Sequence, residues 1–163
     1  MTHPINPILE PYLQGANHVD RKHTTCNLTL RQFILGFISY SPWWLKIFYK
    51  IRLILTTLLR LKTGHPTITT ITSPQDVPFT PNQLALFFTV REAQEDQYWI
   101  VEAPEDNHLA AWLAVTTDNK SHFTVTTVVK YKHWTGPIYF NLIRPFHHLV
   151  VRAMMNAACK QKY

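Results

Sequence analysis

The stretch 122-HFTVTTVVKYKHWTGPIYFNLIRPFHHLVVRAMMNAACK-160 decides the fold, because its period changes in the middle. From His122 to Lys132, Phe123, Val125, Thr127 and Val129 alternate with Thr124, Thr126 and Lys130, the period-two pattern of a strand with one face inward. From about Pro137 to Lys160, Tyr139, Leu142, Ile143, Phe146, Leu149, Val150 and Ala153 recur at helical spacing, with Asn141, Arg144, His148 and Arg152 opposite. Pro145 inside that pattern predicts a kinked or split helix, since it removes a hydrogen bond and crowds the preceding turn.

Upstream, Leu84–Glu92, Gln97–Ala103 and His108–Thr116 read as three further strands. The short polar turns Gln94-Glu95-Asp96, Pro104-Glu105-Asp106-Asn107 and Asp118-Asn119-Lys120 make the four an antiparallel meander. Alternation puts Leu86, Phe88, Val90, Trp99, Val101, Leu109, Ala111, Leu113 and Val115 on the inner face with Phe123, Val125, Thr127 and Val129. Arg91, Tyr98, Glu102, His108, Trp112, Thr124, Thr126 and Lys130 fall on the outer one. There Tyr98 and Trp112, with Phe87, form either an apolar patch or a surface covered by another segment. Residues 66–82, with four prolines and five threonines, read as a surface excursion, either an inert connector or a lid.

Further upstream, Thr29 followed by Gln32 is a capping box, and Leu28 with Phe33 a hydrophobic staple, so a helix runs from about Leu30 to Tyr40. Ser41 then caps a second helix with Pro42 in its first turn. Trp44, Ile47, Phe48, Ile51, Ile54, Leu55 and Leu58 make its buried stripe, and Gly64 its stop. Residues 16–25 read as an edge strand and residues 1–15, with Pro4, Pro7 and Pro11, as an extended arm. The expected fold class is therefore α+β. A curved antiparallel sheet, a four-stranded meander plus an N-terminal edge strand, wraps a long kinked C-terminal helix, with two helices between the first strand and the meander.

At 163 residues and 19.1 kDa the chain fits one domain, assigned to residues 16–163 behind the arm. A 46% hydrophobic and 16% charged composition excludes a disordered chain. Cys26 and Cys159, 133 positions apart with no CxxC, exclude a disulfide scaffold or Cys-rich zinc module. The uncharged stretch Gln32–Leu45 is too short to span a bilayer. With no basic, apolar leader at the front, a soluble cytoplasmic protein is expected. The net charge of +6 comes in blocks. Residues 21–62 carry eight bases and no acid, residues 64–119 eight acids and one base, and residues 120–163 seven bases and no acid. Basic helices beside acidic strand turns account for this without nucleic acid, and no nucleic-acid module is read.

A gripping sheet around a terminal helix resembles the helix-grip fold of the plant-allergen and steroidogenic-lipid-transfer superfamily. That resemblance implies a hydrophobic cavity between sheet and helix. The run His122 to Met154 is also similar to the end of a bacterial domain-of-unknown-function family. Its marks here are Val125 to Val129, Tyr139-Phe140, Pro145-Phe146-His147 and Leu149-Val150-Val151. Asn17-His18-Val19-Asp20 and the Trp-Trp-Leu-Lys helix fit the same family. Its members occur alone or behind short-chain-dehydrogenase-like, NAD(P)-binding domains. The resemblance brings no assigned activity or catalytic residues, and this chain has no GxGxxG.

The expected function is binding of a small hydrophobic ligand, without catalysis, in that cavity. Trp99, Leu113, Phe123, Thr127, Phe146, His147 and Met154 are its expected lining, with Thr127 and His147 as polar handles. A cavity enzyme with His147 or Tyr131 as acid/base is one alternative. A partner-binding or membrane-surface module using the basic helices, with Trp43-Trp44 beside Lys46, Lys50 and Arg52, is another. Packing that helix's stripe on the sheet explains the same residues and is the reading adopted. Nine histidines include no HExxH and no i, i+4 pair, so no metal and no cofactor is expected. Serine and cysteine nucleophiles find no supporting motif. No feature fixes an oligomeric state.

Overall fold

Strand register organises the molecule. The computed structural model describes residues 6–44, 46, 47, 50, 68–104, 107–118 and 121–161. The strands are β1 (His18–Thr25), β2 (Leu84–Ala85), β3 (Phe88–Gln94), β4 (Tyr98–Glu102), β5 (Leu109–Thr117) and β6 (His122–Tyr131). They form one open, curved antiparallel sheet in the order β1-β6-β5-β4-β3-β2. Helices α1 (Glu10–Leu13), α2 (Leu30–Ser39) and α3 (Thr135–Lys160) accompany the sheet. The α+β class, the meander, the N-terminal edge strand and the long terminal helix are those the periodicity predicts.

Five details differ. The run Leu84–Glu92 is a tight hairpin, β2 and β3, rather than one strand. Leu86 turns the chain with φ of 56°, and a bulge follows between Val90 and Glu92. Helix α3 runs through Pro145 as one element of 26 residues, not two, and starts at Thr135. Residues 7–13 are not extended: Pro7–Leu9 is a 3₁₀ turn, capped by the Asn6 side chain, that leads into α1. The 66–82 excursion is fastened over residues 68–82, with Ile71 and Val77 buried. Of the second predicted helix, Trp43, Trp44, Lys46, Ile47 and Lys50 are helical, and Trp43 and Ile47 are exposed rather than packed on the sheet. The rest of it, including Ile51, Ile54, Leu55, Leu58 and the Gly64 stop, lies outside the described residues.

The capping box at Thr29 and Gln32 is formed as the sequence requires, with Gln32 N–H donating to Thr29 Oγ1 and Thr29 N–H to Gln32 Oε1. Helix α2 then buries seven of its ten residues in the concave side of the sheet. Phe33 stacks on Phe123 with centroids 4.2 Å apart and planes 2° from parallel. The Trp99 indole, fully buried, donates to the Pro78 carbonyl at 2.9 Å. Arg31 holds the same loop from the helix side. It pairs with Glu95, donates to the carbonyls of Pro74, Gln75 and Val77, and lies 4.3 Å from the Phe79 ring centroid.

On the convex face, the N-terminal arm covers the patch that Tyr98 and Trp112 would otherwise expose. Leu9 is buried against Ile100 and Ala114, with Ile8, Tyr12, Leu13 and Tyr98 around them. Tyr12 meets Trp112 edge-on at 6.0 Å and donates its hydroxyl to Glu92 at 2.7 Å.

Cys26 and Cys159, whose spacing excludes a disulfide scaffold, form a single disulfide, with Cα atoms 5.5 Å apart. Sequence spacing carries no information on this pairing: β1 ends beside the C-terminus of α3, and that proximity exists only in the fold. No helix among the described residues is long and apolar enough to cross a membrane.

Candidate functional site

The inner face grades from apolar to charged along each row that crosses the sheet. Val90, Val101, Leu113 and Thr127 are successive cross-strand partners, and the row ends on Asp20 of β1. The neighbouring row, Ala93, Trp99, Val115 and Val125, ends on Lys22, and Ala111 and Val129 end on His18. Thus His18, Asp20 and Lys22, at period two on the edge strand, all turn toward α3. Val19, the one clearly apolar residue of this strand, is exposed.

Helix α3 answers with Arg144, His147 and His148. His147 Nε2 lies 3.2 Å from the Thr127 hydroxyl. His148 Nδ1 lies 3.1 Å from Asp20 Oδ2 and 3.0 Å from Lys22 Nζ, while Lys22 also pairs with Asp20. Arg144 Nε reaches His148 Nε2 at 3.5 Å. The His18 ring lies 4.9 Å from Phe140 and 5.8 Å from His148, and its buried Nε2 has no hydrogen-bond partner among the described residues.

Burial governs the protonation of this seam. It lowers His147 to about 4, the nearby Asp20 charge opposing the shift and His148, Lys22 and His18 adding to it. It lowers His18 in the same direction, helped by the Arg144 charge. At Asp20, burial works against ionisation, but the hydrogen bond and charge of Lys22, joined by His148, outweigh it and hold the carboxyl below its ordinary value. His148 can give its Nδ1 proton to Asp20 or accept one from Lys22 at the same nitrogen, not both, so its tautomer selects which neighbour is bound.

Beside the cluster, along the open edge of β1, runs a groove of about 380 Å³. Among the described residues, Arg21, Lys22, His23, Thr24, Arg152 and Asn156 line it with Met155, and no acid does. Lys22 belongs to both groove and cluster. Among the described residues no group of three or more His, Cys, Asp or Glu side chains is arranged to hold a metal ion.

The seven expected lining residues separate into three places. Trp99, Leu113 and Phe123 belong to the packed core beneath α2, and Met154 packs against it. Thr127 and His147 do meet, at the charged edge. Phe146 is 39% exposed, so α3 does not turn it fully into the sheet as the helical stripe predicts. Tyr131, the alternative acid/base, lies at the end of β6 with its ring 6.1 Å from that of Phe140. The residues not foreseen are His18, Asp20, Lys22, Arg21 and Arg152. Their signal was present as the polar alternation His18-x-Asp20-x-Lys22 in a strand too poor in apolar residues to be assigned a face.

A family model described as a protein of unknown function (DUF2867) matches residues 12–154. No curated protein and no solved structure matches the chain.

Proposed function

We propose that this chain, which belongs to the DUF2867 family, binds a small anionic molecule with an apolar body at the seam between β1 and α3, on a helix-grip-like frame. The groove itself carries this reading: Arg21, Lys22 and Arg152 converge on it with no acid in the lining, and Met155 supplies an apolar contact. The unpartnered His18 Nε2 nearby offers a further polar contact to a bound molecule. This moves the ligand from the hydrophobic cavity expected of the sequence to the charged edge of the same sheet–helix interface. Thr127, His147 and Met154 stay with the reading as residues of that interface. Trp99, Leu113 and Phe123 support it only by holding the sheet rigid.

Binding is favoured over catalysis because His147 is held at about 4. A general acid or base works best with a pKa near the operating pH. The test is thermal stabilisation by octanoate and octyl phosphate, with octanol as the neutral control. The anions should raise the melting temperature and octanol should not. Arg21→Glu with Arg152→Glu should remove the effect. No stabilisation of the wild-type protein, or an equal one in the double variant, rejects the site.

A further inference from the structure

Helix α3 carries a second, apolar surface. Ile138, Leu142 and Leu149 are 52%, 50% and 55% exposed. At 3.6 residues per turn they fall within about 40° of one another around the helix axis. Trp134, 72% exposed, stands just before the first turn. A contiguous apolar strip of this kind is unusual on a surface with no partner.

Charge identifies the occupant. Arg144, Arg152 and Lys160 are the ionised side chains of α3, Lys132 precedes it, and no acid follows Asp118 in the chain. A second copy docked α3 to α3 would set these bases against their own images with no carboxylate on either helix to compensate. An apolar strip ending in an exposed tryptophan, on a helix whose ionised side chains are all basic, matches an anionic bilayer surface. There the side chains enter the headgroup boundary and the bases meet lipid phosphates.

We propose that the outer strip of α3, with Ile138, Leu142 and Leu149 as its apolar anchors, is a docking surface for anionic membranes. Its apolar anchors do not line the groove, although Arg152 borders both surfaces.

The experiment is co-sedimentation of the full chain with vesicles of phosphatidylcholine alone or mixed with phosphatidylglycerol, at low and high salt. The protein should pellet with the mixed vesicles, not with phosphatidylcholine alone, and be released by salt. Leu142→Ser with Leu149→Ser should weaken binding about tenfold or more while leaving the melting temperature near wild type. Lys132→Glu with Lys160→Glu should weaken it by more than the roughly fivefold expected for each basic side chain lost. Failure of the wild-type protein to pellet with anionic vesicles overturns the proposal. So does undiminished pelleting of either folded double variant. A wild-type dimer in solution that the serine variant dissolves would assign the strip to a second copy instead, and an acidic protein captured without any vesicle binding would assign it to that protein.

Discussion

Helices α2 and α3 pack on the same sheet in opposite ways. Helix α2 is apolar nearly all round and meets an apolar region, with Phe33 on Phe123 and Phe37 beside them. Helix α3 lies over the charged residues of β1 and leaves Ile138, Leu142, Phe146 and Leu149 exposed. One helix stabilises by burial, which is insensitive to pH and salt. The other is held by a half-buried polar cluster, one covalent link and its apolar contacts near Val151 and Met155. A sheet that is uniformly apolar inside needs no such division. This one changes character at β6, and the two helices divide along that line.

The largest test of the contrast removes the link at the end of α3. Replacing Cys26 and Cys159 by serine should cost about 5 kcal/mol on the chain-entropy account of a loop this long, read from urea unfolding. A loss below about 1 kcal/mol would mean that packing alone holds α3. Next, Phe33→Ala should cost about 3–5 kcal/mol, the range for an aromatic lost from a filled core.

The third test separates the regions by pH. The unfolded chain protonates His147 near 6.5 and the folded chain near 4. Below 6.5 the unfolded state therefore holds more protons, and stability falls as the pH drops through 4, by about 3 kcal/mol at the limit. His18, lowered in the same direction, adds to this loss, and Asp20 adds its own only below its ordinary value of 3.8. His147→Phe should flatten the slope between pH 6.5 and 4, whereas Phe33→Ala should lower stability equally across that window. Equal slopes in the two variants would remove the distinction. The smallest effect is expected at Leu149→Ser, within about 0.5 kcal/mol, because that side chain is already half in water.

Helix α2 was legible to its capping atoms, since Thr29, Gln32 and the apolar run are local signals. Strands β4, β5 and β6 were equally plain, and their inner faces follow from alternation through Trp99, Leu113, Val115, Phe123 and Val125. The hairpin at Leu86-Phe87 was not, because it uses neither Gly, Asn, Asp nor Pro where the chain needs a positive φ. The inward face of α3 was misassigned at Phe146 because the helix has more apolar residues than the sheet can cover. A hydrophobic stripe cannot say which part of it meets the core and which part meets something else. The candidate site was half visible: His147 and Thr127 were singled out separately, but their meeting depends on the register of α3 over β6. Asp20, Lys22 and His18 became a cluster only once β1 was paired with the far strand, Asp20 to Thr127 and Lys22 to Val125.

That pairing also sets a timetable. Among the described residues, strand β1 pairs with a strand about a hundred residues later, and Cys26 finds Cys159 133 positions on. While the chain is being synthesised, α2 and the hairpins from β2 to β5 can form as they emerge, but the first strand must wait. Its edge stays open until β6 has emerged. The charges of Asp20, Arg21 and Lys22 then keep other nascent chains from adding to that edge during the wait. The residues that build the candidate site in the finished protein thus also guard the strand before the protein is finished.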